Sequence, residues 1–142
     1  MTGLLTPTKN SILLARVSDL FLLDTQIIMW LAAEPARLTG KVRDTLRTEP
    51  SSMYVSAVSA WEYGQKRKLR PEELLLGFDE LVNNMPMKTL AFEFELHGYA
   101  ETLPLIHRDP FDRMLIAQAI HHDLTLVTKD REIHRYPVKT LW

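Results

Sequence analysis

The 142-residue chain contains no cysteine. That excludes disulfides, thiolate metal sites and a cysteine nucleophile, and it is compatible with a reducing cytoplasm. An excess of positive charge is missing as well: the formal net charge is -1, whereas proteins that coat nucleic acid by bulk electrostatics are strongly basic. Any nucleic-acid contact must therefore be local. There is no long uninterrupted apolar run either. The stretch from Ser11 to Ala33 is fairly apolar, but Arg16, Asp19 and Asp24 break it. No cationic start precedes a clean apolar block with a small-residue cleavage site, so the stretch reads as neither a membrane span nor a signal peptide. HExxH, GxSxG, a Walker lysine loop and GxGxxG are all absent, which leaves zinc protease, serine hydrolase, nucleotide hydrolase and dinucleotide readings without support.

What is present suffices for one globular domain. At 46% hydrophobic residues, a chain of this length buries a core without staples. Residues 1–19 have mixed polarity and no clear period, and are read as a partly disordered N-terminal extension to a domain of residues 20–142. Leu20 to Leu23 reads as a buried strand, followed by a helix from Thr25 to Ala33 that stops near Pro35. A second helix is expected from about Thr39 to Arg47. Met53 to Val55 reads as a strand, with Ser56 placed to cap a helix that runs to about Lys68. Pro71 is expected to open another helix, because Leu74, Leu75, Phe78, Leu81 and Val82 form a stripe at helical spacing. A strand over Met87 to Leu90 and a helix from Phe92 to about Glu101 follow. Asp109-Pro110-Phe111-Asp112 is a strong helix start, with an Asp cap and proline at the first position. That helix is apolar nearly all round and is expected to be central. Leu124 to Val127 and Val138 to Leu141 supply the last strands. Strands separated by helices imply crossovers and an α/β fold with a mostly parallel sheet.

Four acids stand at the ends of apolar runs or on helices: Asp24 in FLLDT, Glu62 in VSAVSAWE, Asp112 in DPFDRMLIAQA and Asp130 in LTLVTKD. In an α/β protein, side chains leaving the carboxyl ends of neighbouring strands meet in one crevice. Carboxylates gathered in this way suit hard, oxygen-loving ions such as Mg²⁺ or Mn²⁺. Each acid also has a plainer explanation. Asp24 can cap the helix from Thr25, Asp130 can cap a short turn through Ile133, and Asp112 can favour the positive end of its helix. Asp109 can act as cap in place of Asp112, leaving Asp112 free to face the crevice. Glu62 lies mid-helix at the edge of the buried face, and a half-buried carboxylate needs a partner, either a basic residue or a shared cation.

Short basic groups accompany the acids: Lys66, Arg67, Lys68 and Arg70 after Glu62; Arg108 and Arg113 beside Asp112; Lys129, Arg131 and Arg135 around Asp130. Each is either a solvated face or a local contact for nucleic acid. His121 and His122 are adjacent on a helix, point about 100° apart, and are read as favourable charge at its C-terminus.

From Phe21 to Trp142 the chain resembles the PIN-domain ribonucleases of the VapC type, the toxin half of bacterial type II toxin–antitoxin pairs. FLLDTQIIMWLA, YVSAVSAWEYGQKRK, HRDPFDRMLIAQAI and LTLVTKDREIHRY carry the resemblance. It implies a three-layer α/β/α sandwich with Asp24, Glu62, Asp112 and Asp130 as catalytic and metal-binding acids. It further implies Mg²⁺ or Mn²⁺ as cofactor, a structured RNA such as tRNA or rRNA as substrate, homodimerisation, and inhibition by a cognate antitoxin. Arg113, Lys129 and Arg131 are expected to position the RNA backbone. Gln26 departs from the pattern, standing where many relatives have histidine. The rival readings are a non-catalytic RNA- or partner-binding module of the same fold, and a phospho-accepting receiver domain, which the mid-helix Glu62 does not fit.

Overall fold

In a computed structural model the described residues are 19–48 and 50–142. The expected N-terminal extension lies outside them apart from Asp19. Five short strands form one sheet: β1 (Phe21–Leu23), β2 (Met53–Ser56), β3 (Lys88–Leu90), β4 (Thr125–Val127) and β5 (Thr140–Leu141). Their order is β3-β2-β1-β4-β5, and every pairing is parallel. The helices are α1 (Thr25–Ala33), α2 (Gly40–Thr48), α3 (Ala57–Leu69), α4 (Phe78–Asn83), α5 (Leu96–Thr102) and α6 (Pro110–His121). None is long and apolar enough to cross a membrane.

Strand periodicity assigns the core to two faces. Phe21 and Leu23 of β1, Met53 and Val55 of β2, and Val127 of β4 pack with Ile27, Ile28, Val42 and Leu46 of α1 and α2. On the other face Leu22 and Leu126 pack with Leu115, Ile116 and Ala119 of α6, and with Ala100 of α5. The result is the expected α/β/α sandwich. Helix α6 is as central as its composition suggests, with Leu115 through Ala119 all buried. Its one buried amide, Gln118, accepts from the Ser56 hydroxyl at 2.5 Å and donates to the Ala91 carbonyl at 3.0 Å. This polar tie joins the ends of β2 and β3 to α6 with the amide oxygen and nitrogen both partnered, which offsets the cost of burying them.

Two expectations need correction. No helix begins at Pro71: residues 71–73 form a turn, and α4 starts only at Phe78, after Gly77. The carbonyls that a longer helix would use internally are taken by side chains of α3. Arg67 donates to Leu74 O and Leu75 O, and the Tyr63 hydroxyl donates to Leu76 O. Leu75 is consequently 72% exposed instead of lying on a buried stripe. Likewise α5 begins at Leu96, not Phe92. Elsewhere the helix and strand ends agree with expectation to within a residue or two.

The chain runs outward from β1 through β2 to β3, then returns to place β4 on the other side of β1. In open α/β sheets the crevice beyond the carboxyl ends of the strands at such a reversal is where ligands bind. Asp24 follows β1 directly, and Thr128 follows β4.

Candidate active site

The crevice at the reversal is a cavity of about 470 Å³ lined by Asp24, Gln26, Trp30, Glu62, Lys66, Asp109, Asp112, Lys129 and Asp130. All four acids singled out from sequence therefore line one cleft, although they come from four separate segments. Asp24 and Glu62 are each only 8% exposed.

Asp24 is the N-cap of α1, and its Oδ1 accepts from the Gln26 amide at 2.7 Å. Its Oδ2 accepts from the Thr128 hydroxyl at 2.6 Å. Capping and cleft exposure thus coexist in one side chain. Burial, set against these hydrogen bonds, leaves the Asp24 pKa raised, with the nearby Glu62 charge adding to the rise. Glu62 receives the Thr25 hydroxyl on Oε1 at 2.6 Å, and its Oε2 lies 3.4 Å from the Lys66 ammonium one turn along α3. The Thr25 oxygen is also 2.8 Å from the Ser59 hydroxyl, so a small polar stack fixes Glu62 to the start of α1. Glu62 accordingly has a basic partner and also faces the other acids.

Asp109 caps α6, accepting from the amides of Phe111 and Asp112 through Oδ1. Asp112 is left free to face the cleft. Burial and the charges of Asp24, Asp109 and Glu62 push its pKa up to about 7, against the opposing effect of His107. Asp130 fixes the turn after β4 by accepting from the Glu132 amide at 2.8 Å.

Three residues that hold the acids were not singled out from sequence: Thr25, Thr128 and His107. His107 Nε2 lies 2.7 Å from Asp130 Oδ2 and 3.0 Å from Asp112 Oδ2. Burial disfavours charge on this ring, but the Asp130 hydrogen bond and the carboxylates of Asp112, Asp130 and Asp109 outweigh it and raise its pKa. The Asp109 amide donates to Nδ1 at 3.1 Å, which turns the Nε2 hydrogen toward the two acids. The HRDPFD string contains His107, but nothing in spacing alone says that a residue outside the helix returns to its first turn.

The expected RNA-contacting residues separate. Lys129 lines the cleft, with its ammonium 5.5 Å from the Trp30 ring centre. Arg131 is exposed on the following turn. Arg113 points elsewhere: its guanidinium donates to the carbonyls of Ala100, Leu103, Pro104 and His107 and to the Tyr136 hydroxyl. Its donors are spent on the α5–α6 connection, so contact with RNA is not among the roles its position supports. At the far end of α6, His121 and His122 both turn to Glu93, with His122 Nε2 2.7 Å from Oε1 and His121 Nε2 3.7 Å from Oε2.

Comparison with known proteins agrees with this geometry. The PIN domain family profile matches residues 21–139. Ribonuclease VapC22 of Mycobacterium tuberculosis (strain ATCC 25618 / H37Rv) is 32% identical over 129 residues, spanning 85% of this chain and 97% of that protein. Among solved structures, DNA-bound VapBC from Salmonella typhimurium superposes with a TM-score of 0.65 at 20% identity, covering 87% of this chain and 97% of the other. VapBC2 from Rickettsia felis bound to a promoter DNA fragment gives a TM-score of 0.65 at 16% identity, covering 86% and 97%.

Proposed function

The chain belongs to the PIN-domain family, and we propose that it is an endoribonuclease toxin that uses a divalent ion to hydrolyse phosphodiester bonds of structured RNA, tRNA or rRNA. The observation that carries this reading is the meeting of Asp24, Glu62, Asp112 and Asp130 in one cleft at the strand reversal. The name of the ribonuclease that is 32% identical supports it.

Asp24, Glu62 and Asp112 are the residues that would hold Mg²⁺ or Mn²⁺, with Asp130 beside them. The fit rests on their chemistry: three oxygen donors of the kind hard ions prefer, with the Asp24 and Asp112 pKa values raised by burial and by neighbouring carboxylates. When held there, such an ion would supply an acidified water for attack on the phosphorus and charge to offset that on the phosphoryl oxygens. The chain's own part is positional. Thr128 and Thr25 hold the Asp24 and Glu62 carboxylates, each through a 2.6 Å hydrogen bond. Lys66 and Lys129 line the cleft and meet backbone phosphates as point charges. Arg131 extends that charge along the rim.

The protein is further proposed to act in the cytoplasm as a homodimer and to be neutralised by a cognate antitoxin. The VapBC complexes among its structural relatives support the last point. So does a second groove of about 460 Å³ that shares Gln26 and Trp30 with the acidic cleft and is walled by Met29, Leu74 and Leu75. An apolar segment seated there lies against the active-site entrance.

The test is incubation of purified tRNA and rRNA with Mg²⁺, Mn²⁺ or EDTA, comparing the antitoxin-free protein with Asp24→Asn. Discrete metal-dependent fragments that vanish in the variant are expected. Cleavage that persists in EDTA, or no cleavage with either ion, overturns the reading and leaves a binding module.

A further inference from the structure

His107 belongs to the segment before α6, yet its ring is 15% exposed and wedged between two acids on different elements. Every polar group of the residue is engaged. The backbone amide donates to the buried Tyr136 hydroxyl at 2.7 Å, and the carbonyl accepts from Arg113 at 3.3 Å. Nδ1 accepts from Asp109, and Nε2 faces Asp112 and Asp130. A residue held at its backbone amide and carbonyl and at both ring nitrogens is a built feature, not a side chain that happens to lie near a cleft.

The placement has two consequences. Asp130 is the most exposed of the three groups, at 33%, and its carboxylate is fixed only because Glu132 holds Oδ1 and His107 holds Oδ2. Removing the imidazole frees that carboxylate to rotate and leaves Asp112 without its nearest donor. In addition, Nε2 and one oxygen each from Asp112 and Asp130 lie within 4.8 Å of one another. An ion bridging the two acids needs oxygens at about 2.1 Å for Mg²⁺, in the wedge that the imidazole already fills. With Nδ1 accepting from the Asp109 amide, the ring turns its Nε2 hydrogen to both acids and stands where a second cation otherwise sits.

We infer that His107 is the positioning residue of this site, holding Asp112 and Asp130 together and restricting the cleft to a single divalent ion on the Asp24, Glu62 and Asp112 side. The inference rests on the metal-dependent reading above, and adds ion number and the residue that sets it.

The test counts bound Mn²⁺ by the electron paramagnetic resonance signal of the free ion, for the wild type, His107→Gln and His107→Ala. Glutamine places an amide Nε2 donor near the imidazole position, whereas alanine empties the wedge. One ion per chain is expected for the wild type and for His107→Gln. His107→Ala is expected to bind its first ion 10–100-fold more weakly, the usual effect of losing a residue that orients ligands, and to admit a second ion at millimolar Mn²⁺. Circular dichroism and thermal melts of each variant establish that the fold is intact. Two ions in the wild type, or one ion with unchanged affinity in His107→Ala, overturns the inference while metal-dependent RNA cleavage still stands. The expected ion counts without RNA cleavage support the inference and sink the nuclease reading. No Mn²⁺ binding by the wild type overturns both.

Discussion

The Thr128 hydroxyl donates to Asp24 Oδ2 at 2.6 Å across 104 positions of sequence. This bond joins the residue after β4 to the residue after β1, and both residues are buried. It holds Asp24 in place from the opposite side to its own helix, whose Gln26 amide takes the other oxygen. Thr128→Val keeps the shape but removes both the donor to Asp24 and the acceptor of the Asp130 amide, 3.0 Å away. We expect a loss of about 1–3 kcal/mol in urea unfolding, the cost of a buried acceptor left unpaired, together with a fall in kcat larger than any rise in KM. A fall in stability with unchanged kcat would show that Thr128 holds the sheet and not the acid.

The acid cluster predicts a pH dependence of definite sign. Asp112 has an ordinary pKa of 3.8 and a folded value of about 7, so between those values the folded protein holds more protons than the unfolded chain. By linkage, stability of the metal-free protein falls as pH rises through that window, by at most about 1.4 kcal/mol per pH unit for this one group, and levels off above it. Asp24 is raised as well and acts in the same direction. His107, raised above 6.5, also contributes stability that is lost as pH rises. Thermal melts from pH 5 to pH 8 in EDTA should show the decline. Asp112→Asn should flatten it and melt higher than the wild type at pH 8. A wild-type profile that rises with pH refutes the picture of stored repulsion.

Metal should reverse that decline. An ion that binds only the folded protein adds about 2.7 kcal/mol at one hundred times its dissociation constant. The melting temperature at pH 8 should climb with Mn²⁺ or Mg²⁺, and the climb should be lost in Asp24→Asn. No movement at millimolar ion counts against the site.

Arg113 and Lys129 should separate stability from substrate binding. Arg113 reaches four backbone carbonyls, so Arg113→Ala is expected to cost about 2–4 kcal/mol in urea unfolding. Arg113→Lys should rescue little of that loss, since an ammonium cannot span the fork. Lys129→Ala should leave melting unchanged, weaken RNA binding at low salt, and lower the slope of log affinity against log salt by about one phosphate's worth.

Leu75 tests the groove proposed to seat an antitoxin. Being 72% exposed and outside the acidic cleft, it can become Leu75→Lys with little effect on melting or on RNA cleavage. Inhibition by the antitoxin should weaken at least tenfold. Unchanged inhibition would move the partner's seat elsewhere.

The four acids were legible because each sits where local chemistry already marks an element boundary. Asp24 ends an apolar run, Asp130 follows another, Asp112 lies in the first turn behind a capping Asp109, and Glu62 interrupts a buried helix face. The parallel sheet was legible too, because short apolar runs alternate with helical patterns, and parallel strands need such crossovers. The leucine stripe after Pro71 misled for a physical reason. Periodicity reports which faces could be buried, but Arg67 and Tyr63 of the preceding helix capture the carbonyls of Leu74, Leu75 and Leu76 and hold that backbone open.

By itself, then, the sequence determined the alternation of strands and helices, the mostly parallel sheet and the candidate acids, since hydrophobic period, capping and proline placement act over a few residues and are read directly from the string. Tertiary structure alone decided what the polar side chains do. The basic Arg113 became a clasp for the α5–α6 connection, while His107 was carried back over the first turn of its following helix to stand between Asp112 and Asp130. Such assignments depend on donors and acceptors tens of residues apart being brought within about 3 Å, and only the packed sheet and its helices bring them there.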